Sequence, residues 1–165
     1  MVTVRQEHPG DVAGIRALHT ASFPTLGEAR LVDALRAGGW LRISLVAVEG
    51  DDVVGHIAFS PVTLEGTSGG LGLGPLAVRV GHRRRGVAGR LVHDGLASCG
   101  AAGFVVVLGD PHYYRKFGFV PARQWSLRDE YAGGEAFQAL ELIRGSIPLG
   151  GGLVRYSAAF AALDA

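Results

Sequence analysis

The chain has 165 residues, 48% of them apolar, which is enough to bury one real core and too little for two. With 16 Lys and Arg against 15 Asp and Glu, the net charge of +1 excludes the global basic field of a dedicated nucleic-acid binder, so any arginine cluster is a local feature. Cys99 is the only cysteine, which excludes a disulfide framework and a cysteine metal cluster. No metal site is expected. No signal core is present and no apolar run approaches about 18 residues, so the sequence reads as one soluble, cytoplasmic domain over residues 1–165 with no membrane partner.

In chain order, "HPGDVAGIRALHTASF" sets Val12, Ile15, Leu18 and Phe23 near a helical period, with Asp11 placed to cap the helix. "GEARLVDALRAGG" repeats the pattern at Leu31, Val32 and Leu35 and stops at Gly38-Gly39. The period then changes. Ile43 to Glu49 and Val53 to Ser60 are β-branched runs around the turn "EGDD" and predict a hairpin. "GLGLGPLAVRV" predicts a further strand, whose glycines point to a bend or close backbone approach between Gly72 and Pro75. "GVAGRLVHDGLASCGAAG" returns to helical spacing at Val87, Leu91, Val92 and Leu96. "FVVVLGD", Phe104 to Asp110, is a short continuous apolar run of the kind buried on both faces of a sheet. "PHYYRKFGF" begins with a proline suited to a helix start and ends at Gly118, leaving room for a short helix. Ala136 to Leu142 and Gly152 to Phe160 predict closing strands.

The junction from Gly74 to Leu91, "GPLAVRVGHRRRGVAGRL", runs from strand through an arginine-glycine loop into a helix. Such a junction aims unpaired backbone N–H groups and the positive end of the helix dipole at one point, so it predicts an anion site. Small residues at Gly86, Ala88 and Gly89 let a phosphate approach the main chain, and Arg83, Arg84 and Arg85 add counter-charge at the rim. The loop lacks the lysine and Ser/Thr of a P-loop and the G-x-G-x-x-G of a dinucleotide fingerprint. Nucleic-acid binding needs basic residues spread along a face, whereas the remaining arginines are dispersed among acids.

"RRRGVA", Arg83 to Ala88, resembles the R/Q-x-x-G-x-G/A motif of the GCN5-related N-acetyltransferases (GNAT), and "YYRKFGF" resembles that family's tyrosine-x-x-x-G-F segment. "GDPHYYRKFGFVPA" is similar to a branch of small bacterial predicted N-acetyltransferases. The likeness covers the whole chain in element order, with specific motifs confined to roughly Leu76 to Val120. It implies an α/β (α+β) fold with a mixed, mostly antiparallel, splayed central sheet flanked by helices. It also implies acetyl-coenzyme A (acetyl-CoA) as cosubstrate, with its pyrophosphate on Arg83, Arg84, Arg85, Gly86, Val87, Ala88 and Gly89. Leu76, Ala77 and Val78 would pair with the pantetheine arm, and the amide of Ala77 or Val78 would face the acetyl oxygen.

Acetyl transfer to an amine needs a neutral nucleophile, stabilisation of the carbonyl oxygen and a proton for the leaving thiolate. By resemblance Tyr114, four residues before Gly118, is the general acid, and its phenol is neutral at pH 7. Tyr113 is the weaker candidate. The asparagine that the family often places near the start of this helix is replaced by "GDP", so Asp110 either contacts the cofactor or caps the helix. For the base the candidates are His112 and Glu65, followed by His56; His19 and His93 read as helix-face residues and His82 as loop rim. Glu28, Phe23, Trp40 and Trp125 are candidates for the wall around a small-molecule or peptide amine. Cys99 is poorly placed for a covalent carrier, so direct transfer is expected. A non-catalytic acyl-CoA sensor of the same fold is the alternative, and the late strands leave a homodimer open.

Overall fold

A computed structural model describes residues 1–65 and 67–164, the side chains at 67, 68 and 164 aside. The backbone groups into two compact units: Met1–Phe59 with Pro75–Cys99 and the segment from Ala158, and Ser60–Gly74 with Gly100–Ser157.

In the first unit, β1 (Val2–Gln6) lies antiparallel to β2 (Ile43–Glu49), and β2 lies antiparallel to β3 (Asp52–Leu64), with Ile43 opposite Phe59 and Val46 opposite His56. Strand β1 has no counterpart in the sequence reading, because five residues give too short an alternation. Side chains alternate across the sheet. One face takes α1 (Val12–Ser22) and α2 (Gly27–Ala37), whose Ile15, Leu18 and Val32 pack with Val46, Val53 and Ala77. The other takes α3 (Val87–Ala97), with Leu91 Cδ1 only 3.0 Å from where a Cβ on Gly55 would stand.

Asp11 stands before α1 as expected but does not cap it through its side chain. Its carboxylate instead accepts from His8 N–H at 2.6 Å and from Arg5 at 2.7 and 3.2 Å, and that pairing holds its pKa below the usual carboxylate range.

Strand β4 (Thr67–Val78) supplies Gly70–Leu73 to the second unit, where they pair parallel with β5 (Phe104–Leu108). The short helix α4 (Pro111–Tyr114) follows β5. The order then continues from β5 to β8 (Phe137–Glu141) and from β8 to β6 (Val120–Pro121), both antiparallel. The end of β3 pairs antiparallel with β9 (Gly152–Tyr156), which runs parallel to β7 (Leu127–Asp129). The sheet is therefore mixed and largely antiparallel, flanked by helices, as the sequence predicts. The close approach expected in β4 is present: a Cβ on Gly72 would stand 2.7 Å from the Tyr156 ring, and one on Gly70 2.3 Å from Phe104.

The closing strand is shorter than expected. It stops at Tyr156, and Ala158–Asp164 forms tight 3₁₀ turns that bury Phe160 and bring Ala162 and Leu163 against Gly27 at the start of α2. The alanine-rich run buries one large side chain rather than an alternating set, which favours turns over a strand.

At Gly95, in the middle of α3, an added Cβ would stand 2.4 Å from Phe59 Cε1. Helix propensity alone makes Gly→Ala stabilising by about 1 kcal/mol, but overpacking costs about 1–3 kcal/mol. Gly95→Ala is expected to lower the thermal midpoint by several degrees in a calorimetric scan.

Candidate active site

Pairing of β4 with β5 ends at Leu73, yet β4 runs on to Val78. Gly74 takes φ +147° at the point of departure, and Pro75 has no N–H to leave unpaired. On the β3 side the contact persists, with Arg79 N–H donating to Val54 O at 2.8 Å. By the two-residue alternation of a strand, Ala77 N–H also points toward β3, whereas the N–H groups of Leu76 and Val78 point to the other edge. Among the described residues no strand pairs with that edge beyond Leu73. Of the amides of Ala77 and Val78, the register therefore leaves that of Val78 on the unpaired edge. Ala77 and Val78 are themselves only 5% and 8% exposed.

After Val78 the chain makes a 3₁₀ turn at Val80–His82, tied to β2 by a 3.1 Å contact between His82 Nε2 and Glu49 Oε1. The three arginines then diverge in role. Arg83 folds back so that Nε donates to Val78 O at 3.0 Å, while Arg84, at φ +63°, and Arg85 are exposed. Gly86 caps α3 at φ +78°, a left-handed conformation that suits glycine. A Cβ on Gly86 or on Gly89 would meet nothing within 4 Å. Helix geometry leaves the N–H groups of Val87, Ala88 and Gly89 without intrahelical acceptors, so the positive end of an 11-residue helix opens into free space. An anion such as a diphosphate fits there.

In the second unit, Tyr114 lies at the C-terminal end of α4 and is 9% exposed. Its ring fills the space over Gly109, where a Cβ would stand 2.5 Å from Cε2, and meets Tyr113 and Phe119 edge-on. Burial, with a smaller contribution from Tyr113, pushes its pKa up to about 12, so the phenol keeps its proton throughout the neutral range. Asp110 caps α4, with Oδ1 accepting from His112 N–H at 2.9 Å. His112 is exposed, and its Nδ1 lies 3.1 Å from Arg115 Nη2. Glu65 sits in the turn after β3 at φ +48° with Oε1 accepting from Leu153 N–H at 2.9 Å. Each therefore has one acceptor atom, Nδ1 of His112 and Oε1 of Glu65, that already faces a donor.

The histidines assigned only minor parts by the sequence are the most buried. His19 on α1 and His56 on β3 are both 0% exposed, with His19 Nε2 2.8 Å from His56 Nδ1. Burial lowers His19 to about 4; burial, with smaller contributions from His19 and Arg36, holds His56 well below the ordinary histidine value. His56 Nε2 continues to Ser44 Oγ at 2.8 Å, and Ser44 donates to Glu7. Neither Ser44 nor Glu7 belongs to a motif; only the β1–β2–β3 register joins them. Phe23 stacks on His19 at 5.9 Å, and Trp40 packs over Gly38 and remains 44% exposed. Glu28 and Trp125 are half-buried on α2 and in the turn before β7. A cavity of about 490 Å³ opens beside the end of β4, lined by Gly14, Leu18, Val53, Arg79 and Val80 among others. Cys99 is buried, which pushes its thiol up to about 11 and disfavours the thiolate.

This order of elements, with a helix start exposed after a strand that loses its partner, is that of an acetyl-group transferase fold. The family model described as "Acetyltransferase (GNAT) domain" matches residues 41–121. Over 158 residues the chain is 42% identical to an uncharacterized N-acetyltransferase, YhbS, of Escherichia coli, covering 93% of this chain and 95% of the relative. A second uncharacterized N-acetyltransferase of that organism, YjhQ, is 36% identical over 118 residues, 67% of this chain and 65% of the relative. The crystal structure of E. coli YhbS in complex with CoA superposes with a TM-score of 0.91 at 40% identity, covering 96% of this chain and 91% of that one. A GNAT family acetyltransferase from Brucella melitensis in complex with acetyl-CoA gives a TM-score of 0.81 at 38% identity, with 97% and 98% covered. The chain belongs to the GNAT family of acetyltransferases.

The buried imidazole of His19 makes stability depend on pH with a definite sign. Its folded pKa, about 4, lies below its ordinary value of 6.5, so the unfolded chain binds the extra proton first. Stability is full above pH 6.5 and falls as the pH drops toward 4, by about 3 kcal/mol from this group. Denaturant melts at pH 7 and pH 4.5 should show that loss, and His19→Gln should flatten it.

Proposed function

We propose that this protein moves an acetyl group from acetyl-CoA directly to a primary amine of a small molecule or peptide in the cytoplasm. The observation that carries the reading is the start of α3, where the first-turn N–H groups face open space over Gly86 and Gly89 beside exposed Arg84 and Arg85. The N–H groups of Val87, Ala88 and Gly89 bind the pyrophosphate, and the two arginines add charge at its rim. The backbone edge of Leu76 and Val78 pairs with the pantetheine arm, and Val78 N–H donates to the acetyl oxygen as negative charge develops there. Tyr114 donates its phenolic proton to the sulfur as the C–S bond breaks; a neutral acid is available because burial keeps the phenol protonated. The buried, protonated thiol of Cys99 supports direct transfer over an acetyl-cysteine route. Asp110 caps α4 through Oδ1, and its exposed carboxylate stands beside the cofactor's path.

A panel of primary amines assayed for free CoA release tests the transfer. Turnover of at least one amine is expected, with kcat about 10- to 100-fold lower in Tyr114→Phe at nearly unchanged KM for acetyl-CoA. Equal rates would remove Tyr114 from the mechanism, and tight CoA binding without turnover on any amine would make the protein a sensor.

The donor side has its own test. The Cβ of Gly89→Val meets nothing within 4 Å and valine is the better helix former, so the free protein should melt no lower than the parent. Calorimetric titration should show CoA binding at least about tenfold weaker, a loss of about 1.4 kcal/mol.

A further inference from the structure

Five residues of the first unit form one hydrogen-bonded line from core to surface. His19 Nε2 lies 2.8 Å from His56 Nδ1, His56 Nε2 lies 2.8 Å from Ser44 Oγ, Ser44 Oγ–H donates to Glu7 Oε1, and Glu7 is held by Arg36 at 2.9 and 3.0 Å. At its outer end Glu7, Ser44 and Arg36 line a cavity of about 300 Å³ together with Gln6, Leu41 and Arg42. At its inner end His19 Nδ1 is buried and has no hydrogen-bond partner among the described residues.

The protons in this line can be placed. Glu7 is ion-paired with Arg36 and so accepts only, and Ser44 must use its single O–H to meet it. Ser44 Oγ therefore accepts from His56 Nε2–H, which leaves His56 Nδ1 as an acceptor. His19 must then donate through Nε2–H. Its Nδ1 is left as a bare lone pair on a neutral ring, at the head of a chain in which every donor points outward.

His19 reaches His56 from α1. The Arg79–Val54 hydrogen bond sets His56 opposite Ala77, the neighbour of Val78, on the face covered by α1.

We propose that His19, His56, Ser44 and Glu7 form a proton relay that takes the proton released by the acceptor amine and delivers it to the cavity at Glu7. The inference rests on the transfer reading above. As the N–C bond forms, the amine proton goes to His19 Nδ1 through water, since the nitrogen is itself buried. His19 passes its Nε2 proton to His56 Nδ1, His56 passes its Nε2 proton to Ser44 Oγ, and Ser44 passes its own to Glu7, which releases it to solvent. One proton enters and one leaves, and the relay resets when both imidazole rings flip and the Ser44 hydroxyl turns back. Burial that disfavours the imidazolium does not block this route, because neither ring has to retain the charge. The charged and titratable groups facing His56 are His19 from α1 and Arg36 from α2, with Glu7 reached through Ser44; Asp33 and Arg16 stand one ion pair further out.

Two measurements test the relay. Long-range proton–nitrogen correlation spectra of the ¹⁵N-histidine-labelled protein at pH 7, without ligand, should show both buried rings neutral and protonated at Nε2. A charged ring, or His56 protonated at Nδ1, would overturn the assignment whatever the enzyme does. The second uses the amine turned over fastest in the panel. Glu7→Gln still accepts from Ser44 but cannot take up a proton, so kcat should fall at least about tenfold with KM for acetyl-CoA unchanged. Ser44→Ala should lose as much, and Ser44→Thr should restore it. A parent that releases CoA while Glu7→Gln matches it within twofold overturns the relay and leaves the transfer reading standing; a parent that acetylates no amine overturns both.

Discussion

The site depends on a strand that gives up one of its two hydrogen-bonding partners while its side chains stay buried. Beyond Leu73, β4 has lost β5, yet Ala77 and Val78 remain buried. A buried backbone N–H without a partner costs about 1–3 kcal/mol. Such an edge persists only if the rest of the fold fixes it, and three features do so. Pro75 removes one donor at the point of departure, β3 holds the opposite edge through Arg79 and Val54, and α1, α2 and α3 clamp the two faces of the first unit. A ligand able to pair with Leu76 and Val78 recovers a cost that the protein already carries, so the edge is complementary to an amide-bearing arm before any such arm arrives.

The loop after β4 shows that three adjacent arginines need not share a task. Arg83 spends its Nε on the carbonyl of Val78, which fastens the loop to the strand that it follows. Arg84 and Arg85 face solvent without such a tie, where screening keeps a charge pair worth little. The stronger element is the main chain of α3: its first-turn donors are fixed in direction, and the missing Cβ atoms of Gly86 and Gly89 leave them accessible. In the proposed reading, arginine charge steers an anion toward the loop while backbone geometry decides where it comes to rest.

Much of the fold was legible because its signals are local. The periods at Val12 to Leu18 and Leu31 to Leu35, the hairpin around "EGDD" and the strand-loop-helix junction each depend on neighbours in sequence, and each is found where expected. What could not be read depends on pairing at a distance. Strand β1 is stabilised by Val46 and Ala47 across the ladder rather than by its own alternation, and the final strand ends where Phe160 finds a buried place that an alternating pattern would not provide. Glu65 illustrates the same limit at the site: in sequence it is a free carboxylate in a loop, and in space it accepts from the backbone of Leu153, 88 residues away. Ser44 and Glu7 carry no signal, since a serine on a strand and a glutamate after one are ordinary residues until the register sets them in line with His56.

That line gives an exposed rim an influence on the core that its energy would not suggest. The Glu7–Arg36 pair is partly solvated, a class of ion pair that contributes modestly to stability. Its ionisation nevertheless fixes which way the Ser44 hydroxyl points, and that direction fixes the tautomer of His56 and then of His19. The lone pair on His19 Nδ1 is thus set by a carboxylate that the ring never touches. A core built from apolar side chains would pack as well and carry no such direction. The two buried, neutral imidazoles are therefore better understood as oriented dipoles in a chain than as a means of holding α1 to β3, and the desolvation they carry is the cost of keeping that orientation away from competing water.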